Sequence, residues 1–414
     1  MLIMAPAPER FILVLNCGSS SIKFGLFAAD VEPVPRQASW SGQVQGIGGA
    51  ASEFKAAGAA SEPVELDSQR PYNAALALIR ERIMDWLGAR RVAVVAHRVV
   101  HGGARYFAPV RVDAGVLADL RGYIPLAPLH QPFALEAVQI LLAERPDLPQ
   151  VACFDTGFHH TLPLVEQLLP LPYSAWERGL RRYGFHGLSY EYMAQVLPER
   201  HGDAARGRAV VAHLGSGASL CAMQGLCSVA TTMGFSALDG LMMGTRCGAL
   251  DPGALLYLME IEKLSLEQVG RMLYHDSGLL GVSGISADSR VLLAREADDE
   301  RARLALELYV RRIVREICAM LAVLGGFDLL VFTAGVGEHS AVIRERVCAG
   351  LGFLGVTLDD AANAGDAPLI SRPDSRVIVG VEPTNEEWIA ARHAAALCAP
   401  GAVPRAGAPL RVSP

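Results

Sequence analysis

Three glycine-rich stretches of this chain could hold a phosphate group. NCGSSS occupies residues 16–21, HLGSG occupies residues 213–217 and AGVGEH occupies residues 334–339. Backbone N–H groups in such turns can converge on an anion, and serine hydroxyls add further donors. Taken alone, the first stretch is just as typical of an ordinary hairpin loop, because glycine and serine suit tight turns. The other polar residues of the chain must decide between these interpretations.

Charged and imidazole side chains occur in short strings close to apolar runs. Those strings are VAHRVVHGG with His97, Arg98 and His101, PLHQP with His130, CFDTG with Asp155, YGFHG with His186, MMGTR with Arg246 and PTNEEW with Glu386. Each residue alone has an ordinary structural explanation, such as a buried histidine, a surface ion pair or a helix N-terminus. Their co-occurrence with three phosphate-type loops favours phosphoryl transfer, which needs fixed cations and a metal ion.

The cations and metal ligands of such a site can be named from residue type. Only three lysines occur in the chain, so phosphate chemistry here depends on arginines such as Arg98 and Arg246. Asn16 and Glu386 offer the oxygen ligands that Mg²⁺ prefers. No G-x-x-x-x-G-K-[ST] string occurs, and no H-R-D string occurs with D-F-G. The P-loop and protein-kinase routes to phosphoryl transfer are therefore excluded.

Strands and helices alternate along the chain, which predicts an α/β fold. We predict strands at residues 11–15, 22–27, 92–100, 151–154 and 376–381, and helices at residues 71–87, 132–144 and 301–324. LVLNCGSSSIKF and VVAHLGSGASLC both indicate a strand, a small polar turn and a second strand. This repetition predicts two related halves. Residues 328–340 indicate a strand, a glycine-rich turn and a helix, whereas residues 46–63 and 401–414 predict loop or tail.

Composition limits the possible partners and compartments. The 414 residues allow two domains, and a net charge of −6 gives no electrostatic reason to expect nucleic acid or an anionic membrane as a partner. The eight cysteines form no C-x-x-C pair, so neither a disulfide framework nor a zinc site is expected. The sequence shows no signal-peptide pattern and no apolar run of membrane-spanning length. We therefore expect a cytoplasmic protein.

The ordered series of motifs resembles the acetate kinase family, within the actin-like and sugar-kinase superfamily. The resemblance runs from LNCGSSSIKF through HRVVHGG, FDTGFHH, YGFHGLSY, HLGSGASL and FTAGVGEHS to PTNEEW. It implies two duplicated actin-like, ribonuclease H-like α/β domains flanking a nucleotide cleft, at residues 1–156 with 387–414 and at residues 157–386. It also implies reversible, direct in-line phosphoryl transfer between ATP and acetate, giving acetyl phosphate and ADP. Mg²⁺, with Mn²⁺ as a possible substitute, and a homodimer are implied as well.

The resemblance assigns roles to individual residues. Asn16 and Glu386 match metal positions, and Arg98 matches the arginine that contacts the acyl carboxylate. The catalytic set is His130, Asp155, His186 and Arg246, and the acyl pocket is Val100, Leu129, Phe185 and Ala237. The nucleotide segments are His213, Leu214, Gly215, Ser216 and Gly217, then Asp288, Ser289 and Arg290, then Gly335, Val336, Gly337, Glu338 and His339. Asp155 matches a residue usually described as the catalytic base. An acetate acceptor is already ionised at pH 7, so orienting Arg98 or metal-bound water suits Asp155 better.

The chain departs from the family pattern at five positions. Ser216 and His339 stand where asparagine is usual, Ala230 and Ala249 where aspartate is common, and Ala237 where proline is usual. The first two bear on nucleotide binding, the next two on the positioning of Arg246, and the last on acyl-chain selectivity. Three alternatives stay open: a propionate or butyrate kinase of this family, a sugar or glycerol kinase, and an actin-like ATPase that serves as an interaction module.

Overall fold

The computed structural model describes residues 9–49, 51–128 and 130–399. The chain divides into two compact units, which are Met1–Gly157 with Asn385–Pro414 (unit 1) and Phe158–Thr384 (unit 2). The domain breaks expected from the sequence, after residues 156 and 386, stand one and two residues from these divisions. Leu129 and the tail at residues 401–414 lie outside the described residues.

In the part of unit 1 that the structure describes, there are one mixed sheet and four α-helices. Its strands are β1 (Arg10–Cys17), β2 (Ser21–Ala28), β3 (Trp40–Gln45), β4 (Ser52–Ala56), β5 (Glu62–Val64), β6 (Arg91–Val99), β7 (Val110–Arg111) and β8 (Gln150–Phe154). Its helices are α1 (Pro71–Leu87), α2 (Ala114–Gly122), α3 (Gln131–Glu144) and α16 (Glu386–Cys398). The sheet order is β5-β4-β3-β2-β1-β6-β8-β7, in which β1, β6 and β8 run parallel.

The two faces of this sheet are buried differently. Leu13 and Leu15 of β1 and Val95 of β6 belong to one apolar core that includes Ile79 of α1 and Val138 of α3. The opposite face packs against α16, whose contacts run to β1, β6 and β8. Because both faces are covered, β1 is an almost continuous apolar run, as is usual for buried parallel strands.

Two expectations for unit 1 were wrong. Residues 46–63 are not all loop, because they contain β4 and the start of β5. Phe54 is the residue that orders this segment, since it pairs with Val44 and stacks on Phe24. Asn16 is not in the loop after β1 either. It continues the strand, opposite Lys23 on β2 and Arg98 on β6, so the turn is reduced to residues 18–20.

Unit 2 contains a five-stranded sheet and twelve α-helices within its described residues. The strands are β9 (Arg208–Leu214), β10 (Ala218–Gln224), β11 (Cys227–Thr231), β12 (Leu329–Thr333) and β13 (Ile378–Val381). The helices are α4 (Leu164–Gln167), α5 (Tyr173–Glu177), α6 (Gly187–His201), α7 (Asp203–Arg206), α8 (Pro252–Glu260), α9 (Leu266–His275), α10 (Gly278–Ser283), α11 (Ser289–Leu293), α12 (Glu300–Leu324), α13 (Ala334–His339), α14 (Ala341–Ala349) and α15 (Asp360–Ala364).

The same strand arrangement occurs in both units. The order β11-β10-β9-β12-β13 in unit 2 reproduces β3-β2-β1-β6-β8 in unit 1. In each set, neighbouring strands among the first three are antiparallel to each other. The last two strands run parallel to β1 in unit 1 and to β9 in unit 2. The duplicated hairpin seen in the sequence therefore belongs to a duplicated α/β sheet.

The stretch after β12 differs from its expected form. The sequence predicts a glycine-rich turn between strand and helix, but α13 begins directly at Ala334, which takes a positive φ of 63°. The change from strand to helix therefore takes place at a single residue, Ala334. Gly337 lies inside this helix close to β9, since an added Cβ would stand 3.5 Å from the Ala212 carbonyl oxygen, an ordinary van der Waals distance. In the described ranges, no helix has the length and apolar character needed to cross a membrane.

Candidate functional site

Polar side chains collect at the carboxyl ends of the parallel strands of unit 1. Asn16 is near the end of β1 and pairs in register with Arg98 near the end of β6. Asp155 follows β8 directly, and its backbone N–H donates to the Val99 carbonyl oxygen. Glu386 is the first residue of α16, the helix that covers this face of the sheet. The topology thus brings together residues that are far apart in sequence.

Arg98 is the centre of this group. Its Nε donates to both carboxylate oxygens of Asp155 at 2.9 and 3.1 Å, and its Nη2 donates to Asp155 Oδ2 at 2.8 Å. Its Nη1 lies 2.9 Å from Glu386 Oε2. The Arg98 side chain is 20% exposed and that of Asp155 only 3%. The bidentate contact occupies both Asp155 oxygens, which makes Asp155 a group that orients Arg98.

Burial and charge oppose each other at these residues. Burial lowers the pKa of the Arg98 guanidinium, but the carboxylates of Asp155 and Glu386 outweigh that effect and raise it. Burial raises the pKa of the Asp155 carboxyl, and Arg98 acts in the opposite direction. Burial also raises the pKa of Glu387. The charges of Lys23 and Arg98 lower that pKa, whereas the charge of Glu386 raises it. Arg98 therefore stays charged, and two carboxylates already balance it.

The oxygen donors of unit 1 suit a hard divalent cation. Asn16 lies between Lys23 and Arg98 in the sheet, and Glu386 and Glu387 begin the helix on the same face. Among the residues that the structure describes, no three His, Cys, Asp or Glu side chains form a metal cage. A donor set of few oxygens fits Mg²⁺, which keeps several water ligands and commonly binds substrate phosphates. Glu386 is engaged by Arg98 in this structure.

Two histidines expected near this group, His97 and His130, have different surroundings. His97 is buried on the other face of β6, where its Nε2 lies 2.8 Å from Gln150 Oε1, and burial lowers its pKa to about 4. It is a structural histidine. His130 precedes α3, and a positive charge on its ring lowers the pKa of Asp155. Val100 follows β6 and is half-buried, whereas the neighbouring pocket candidate Leu129 is outside the described residues.

In unit 2, two imidazole rings are stacked. The rings of His186 and His213 lie 4.0 Å apart with an interplanar angle of 15°. His213 ends β9, and His186 precedes α6 in a left-handed conformation, with φ of 59°. His186 Nδ1 lies 2.8 Å from Ser219 Oγ, and His213 Nδ1 lies 2.9 Å from Ser189 Oγ. Each ring is therefore oriented by its own hydroxyl group.

Arg246 reaches the same turn between β9 and β10. A Cβ on Gly217 would stand 3.0 Å from Arg246 Nη2 and 3.1 Å from His186 Nε2, so both groups face one point beside this glycine. Arg246 Nη1 donates to the Ala237 carbonyl oxygen at 2.7 Å. Burial lowers the pKa of Arg246, and within the described ranges no carboxylate is paired with it. A buried guanidinium without a counter-ion is suited to bind an anion.

The three expected nucleotide segments are only partly brought together. The β9–β10 turn meets α13, since a Cβ on Gly215 would stand 3.5 Å from the Ala334 Cβ. Glu338 Oε1 accepts from the Ala334 and Thr384 N–H groups, so this carboxylate stabilises the start of α13. The residues Gly335, Val336, Gly337 and His339 share that helix.

The segment at Asp288 is built differently. Asp288 caps α11 by accepting from the Arg290 N–H, and its carboxylate pairs with the exposed Arg290 side chain. Its neighbour Ala287 lies close to Gly244, where a Cβ would stand 3.0 Å from the Ala287 carbonyl oxygen. The loop that carries Arg246 therefore adjoins the segment of Asp288, Ser289 and Arg290.

Comparison with known proteins identifies the family of this chain. The model of the Acetokinase family matches residues 11–392. The chain belongs to the acetokinase family. It is 50% identical over 388 residues to a protein of Rhodopseudomonas palustris named acetate kinase, covering 92% of this chain and 97% of that one. Membership of this family makes the chain an ATP-dependent kinase.

Solved acetokinase structures resemble the fold over almost its whole length. The crystal structure of Porphyromonas gingivalis acetate kinase superposes with a TM-score of 0.83 at 36% identity, covering 93% of this chain and 98% of that chain. A propionate kinase from Francisella tularensis gives a TM-score of 0.85 at 33% identity, with the same coverage. The expectation of two duplicated actin-like α/β domains is confirmed by these likenesses and by the repeated sheet.

Several polar residues of the site were missed from the sequence. Ser219 and Tyr190 support His186, and Arg344 donates to the α13 carbonyl oxygens of Gly337 and Glu338. Ser219 carried one available signal, since it is a hydroxyl inside an otherwise apolar strand. Arg344 carried none, because an arginine in a polar helix is normally exposed.

Proposed function

We propose that this chain transfers the γ-phosphoryl group of ATP reversibly and directly to acetate, giving acetyl phosphate and ADP. An acetate oxygen attacks the γ-phosphorus while the bond to the β–γ bridging oxygen breaks, and that oxygen leaves with ADP. Acetate needs no deprotonation, so no general base is required. The observation that best supports this proposal is the 50% identity to an acetate kinase over nearly the whole chain.

Arg98 is the residue proposed to bind the acetate carboxylate by donating hydrogen bonds to it. Asp155 fixes its Nε and Nη2, which leaves the Nη1 side for a ligand only when Glu386 moves away. A guanidinium presents donors in a fixed fork, and that shape matches a carboxylate. Binding of acetate therefore competes with Glu386 for one face of Arg98.

Glu386 gains an alternative partner when the metal is present. Asn16 and Glu386, with Glu387 beside them, are the residues that would hold Mg²⁺, or Mn²⁺ in its place. A bound Mg²⁺ supplies charge neutralisation for the phosphates. Arg98 contacts Glu386 through Oε2, so a metal ion held by this carboxylate would share it with Arg98, and the two binding events would be linked through Glu386.

Arg246 and His186 are the proposed donors to the transferred phosphoryl group. Both face the point beside Gly217, and the guanidinium has no carboxylate partner among the described residues. Such preorganised donors stabilise charge that develops on phosphoryl oxygens. The turn at Gly215, Ser216 and Gly217, with α13 and the Asp288 segment, is proposed to hold the nucleotide.

A hydroxylamine trap tests the reaction class. The purified chain is incubated with Mg-ATP, hydroxylamine and either acetate, propionate, butyrate, glycerol or glucose. An acyl phosphate gives a hydroxamate, and we expect the largest signal with acetate and a smaller one with propionate. ATP turnover without hydroxamate would instead indicate a sugar kinase or an actin-like ATPase and would overturn the proposal.

A homodimer is proposed on the basis of exposed apolar residues in unit 2. Helix α8 buries none of its residues, and Leu256 and Tyr257 are 59% and 54% exposed. Further exposed apolar residues of unit 2 are Leu250, Ile261, Leu266, Val282 and Leu308. Exposed apolar clusters of this kind are typical of protein interfaces. We propose a second copy of this chain as the partner and the cytoplasm as its compartment.

A further inference from the structure

Two buried hydroxyl groups hold the imidazole of His186. Ser219 Oγ lies 2.8 Å from His186 Nδ1 and 2.6 Å from the Tyr190 hydroxyl oxygen. Ser219 and Tyr190 are both fully buried. Ser219 is on β10, and Tyr190 is one turn into α6, the helix that His186 precedes. The position of the ring is thus set by the sheet and by the helix together.

Proton counting limits how this chain of groups can be arranged. The Ser219 hydroxyl has a single hydrogen, so it can donate either to His186 or to Tyr190, but not to both. If Tyr190 donates to Ser219 and Ser219 donates its own hydrogen to His186 Nδ1, the neutral ring carries its hydrogen on Nε2. In the reverse arrangement the hydrogen is on Nδ1, and Nε2 presents a lone pair.

The surroundings of Nε2 favour the first arrangement. Nε2 and Arg246 Nη2 face the same point beside Gly217. The positive charge of Arg246 disfavours a second positive charge on the His186 ring, and His213, the other close ring, is stacked at 4.0 Å. An anion bound at that point would be repelled by a lone pair on Nε2 and attracted by an N–H group.

We propose that Tyr190 and Ser219 are positioning residues that keep His186 neutral, with its hydrogen on Nε2 and directed at the bound anion. This inference rests on the proposed function in one respect, which is that the anion is the transferred phosphoryl group. Neither hydroxyl touches that group. Both act through His186, so the hydrogen is in place before the phosphoryl group arrives.

Nitrogen NMR of the full chain labelled with ¹⁵N-histidine tests the tautomer without any activity assay. The signals of His186 are assigned by their loss in the His186→Gln variant. We expect the wild-type ring to carry its hydrogen on Nε2, and Ser219→Ala to give a mixture of both tautomers. The matched control is Ser228→Ala, which removes the hydroxyl paired with Nδ1 of the buried His159 and should leave the His186 signals unchanged. A hydrogen on Nδ1 in the wild type, or an unchanged tautomer in Ser219→Ala, would overturn the proposal.

Kinetics separate a positioning role from a structural one. We expect Ser219→Ala to lower kcat about tenfold, as for loss of one buried hydrogen bond, with KM for ATP and acetate within about twofold. In the His186→Gln background the same change should cost nothing further in kcat. An equal loss in both backgrounds would contradict the proposal. Tyr190→Phe keeps the ring packing and should give a smaller loss of the same kind, so the test does not depend on the folding of one variant.

The tautomer result and the proposed function fail separately. A wild-type chain that forms no acyl phosphate would overturn the proposed function, whereas the NMR result decides the arrangement of Tyr190, Ser219 and His186 by itself.

Discussion

At the scale of single residues, the two site arginines differ in how their charges are balanced. Arg98 is paired with Asp155 and Glu386, whereas Arg246 has only the Ala237 carbonyl as a hydrogen-bond acceptor among the described residues. A guanidinium balanced by carboxylates is suited to exchange one of them for a substrate carboxylate. A buried guanidinium without a counter-ion is suited to interact with the charge of a phosphoryl group.

Replacing Arg246 should therefore affect turnover more than binding. We expect Arg246→Ala to lower kcat by a factor on the order of 10³, with a smaller change in KM for ATP, as for loss of a transition-state arginine. Arg98→Ala should instead raise KM for acetate most. Arg303→Ala is the control, because that exposed arginine pairs only with surface glutamates. Near-wild-type kinetics in both site variants would show that the active site lies elsewhere.

Glu386 gives a prediction about metal removal. Its carboxylate lies 2.9 Å from Arg98 Nη1. Glu386→Gln should weaken Mg²⁺ binding and strengthen metal-free acetate binding, because a neutral amide competes less for the guanidinium. Isothermal calorimetry with acetate, with and without Mg²⁺, measures both effects. If metal-free acetate affinity does not rise in this variant, Glu386 does not compete with acetate for Arg98.

Ala237 gives a prediction about acyl selectivity. Its side chain is half-buried, and its carbonyl oxygen, which holds Arg246, would be kept by proline. Proline adds ring carbons, and discrimination per methylene in an apolar pocket is about 1–3 kcal/mol. We expect Ala237→Pro to lower kcat/KM for propionate relative to acetate by about a few-fold. The ratio of the two kcat/KM values decides this, and an unchanged ratio would show that Ala237 does not set acyl selectivity.

At the scale of elements, sequence patterns predicted the long regular segments well. The helix at Pro71–Leu87 was predicted with its observed bounds, and α12 begins one residue before its predicted start at residue 301. Proline, glycine and apolar periodicity mark such elements locally. The segment around β4 was missed because only Phe54 marks it, and its order comes from pairing with β3 and from stacking of Phe54 on Phe24 of β2.

The same distinction applies to the site. The strand-end residues Asn16, Arg98 and Asp155 could be proposed from their motifs, and the register of parallel strands places them together. The supporting hydroxyls could not be predicted in the same way. Ser219 and Tyr190 meet His186 only because β10 packs beside the start of α6, and no local pattern encodes that contact.

Helix α13 is stabilised by a buried charge, which gives a prediction at this scale. Arg344 is fully buried on α14, where it donates to the carbonyl oxygens of Gly337 and Glu338 and pairs with Asp366. The partner Asp366 is 40% exposed, so the main loss in Arg344→Met comes from the carbonyl oxygens of Gly337 and Glu338 that are left without this donor. An unsatisfied buried polar group costs about 1–3 kcal/mol, so we expect the free energy of unfolding to fall by about 2–4 kcal/mol. We also expect a raised KM for ATP, because α13 carries one proposed nucleotide segment.

Urea unfolding with a matched neighbour checks this prediction. Arg346 is on the same helix, and its pair with Glu296 is partly exposed. Arg346→Met should cost less than about 1 kcal/mol, as is usual for exposed ion pairs. Equal losses in the two variants would mean that Arg344 has no special role at α13.

At the scale of the whole molecule, the repeated sheet divides the chemistry. Unit 1 places the proposed carboxylate-binding and metal-binding residues at the carboxyl ends of β1, β6 and β8. Unit 2 places His213 at the end of β9 and α13 after β12, the strands that correspond in the shared order. Duplication of one sheet thus gave equivalent strand ends that carry different residues in the two units. The exposed apolar residues of α8 belong to none of the sequence motifs that carry the proposed site.

Self-association should depend on helix α8. Placing a charge on an apolar interface is costly, because the carboxylate loses water without gaining a partner. We expect Leu256→Asp to shift the chain from dimer to monomer in sedimentation velocity at micromolar concentration, with its far-ultraviolet circular dichroism unchanged. Met84→Asp is the control, since Met84 is equally exposed, at 55%, but lies on α1 of unit 1. A dimer that persists in Leu256→Asp, or dissociation of both variants alike, would exclude α8 as the surface that joins two copies.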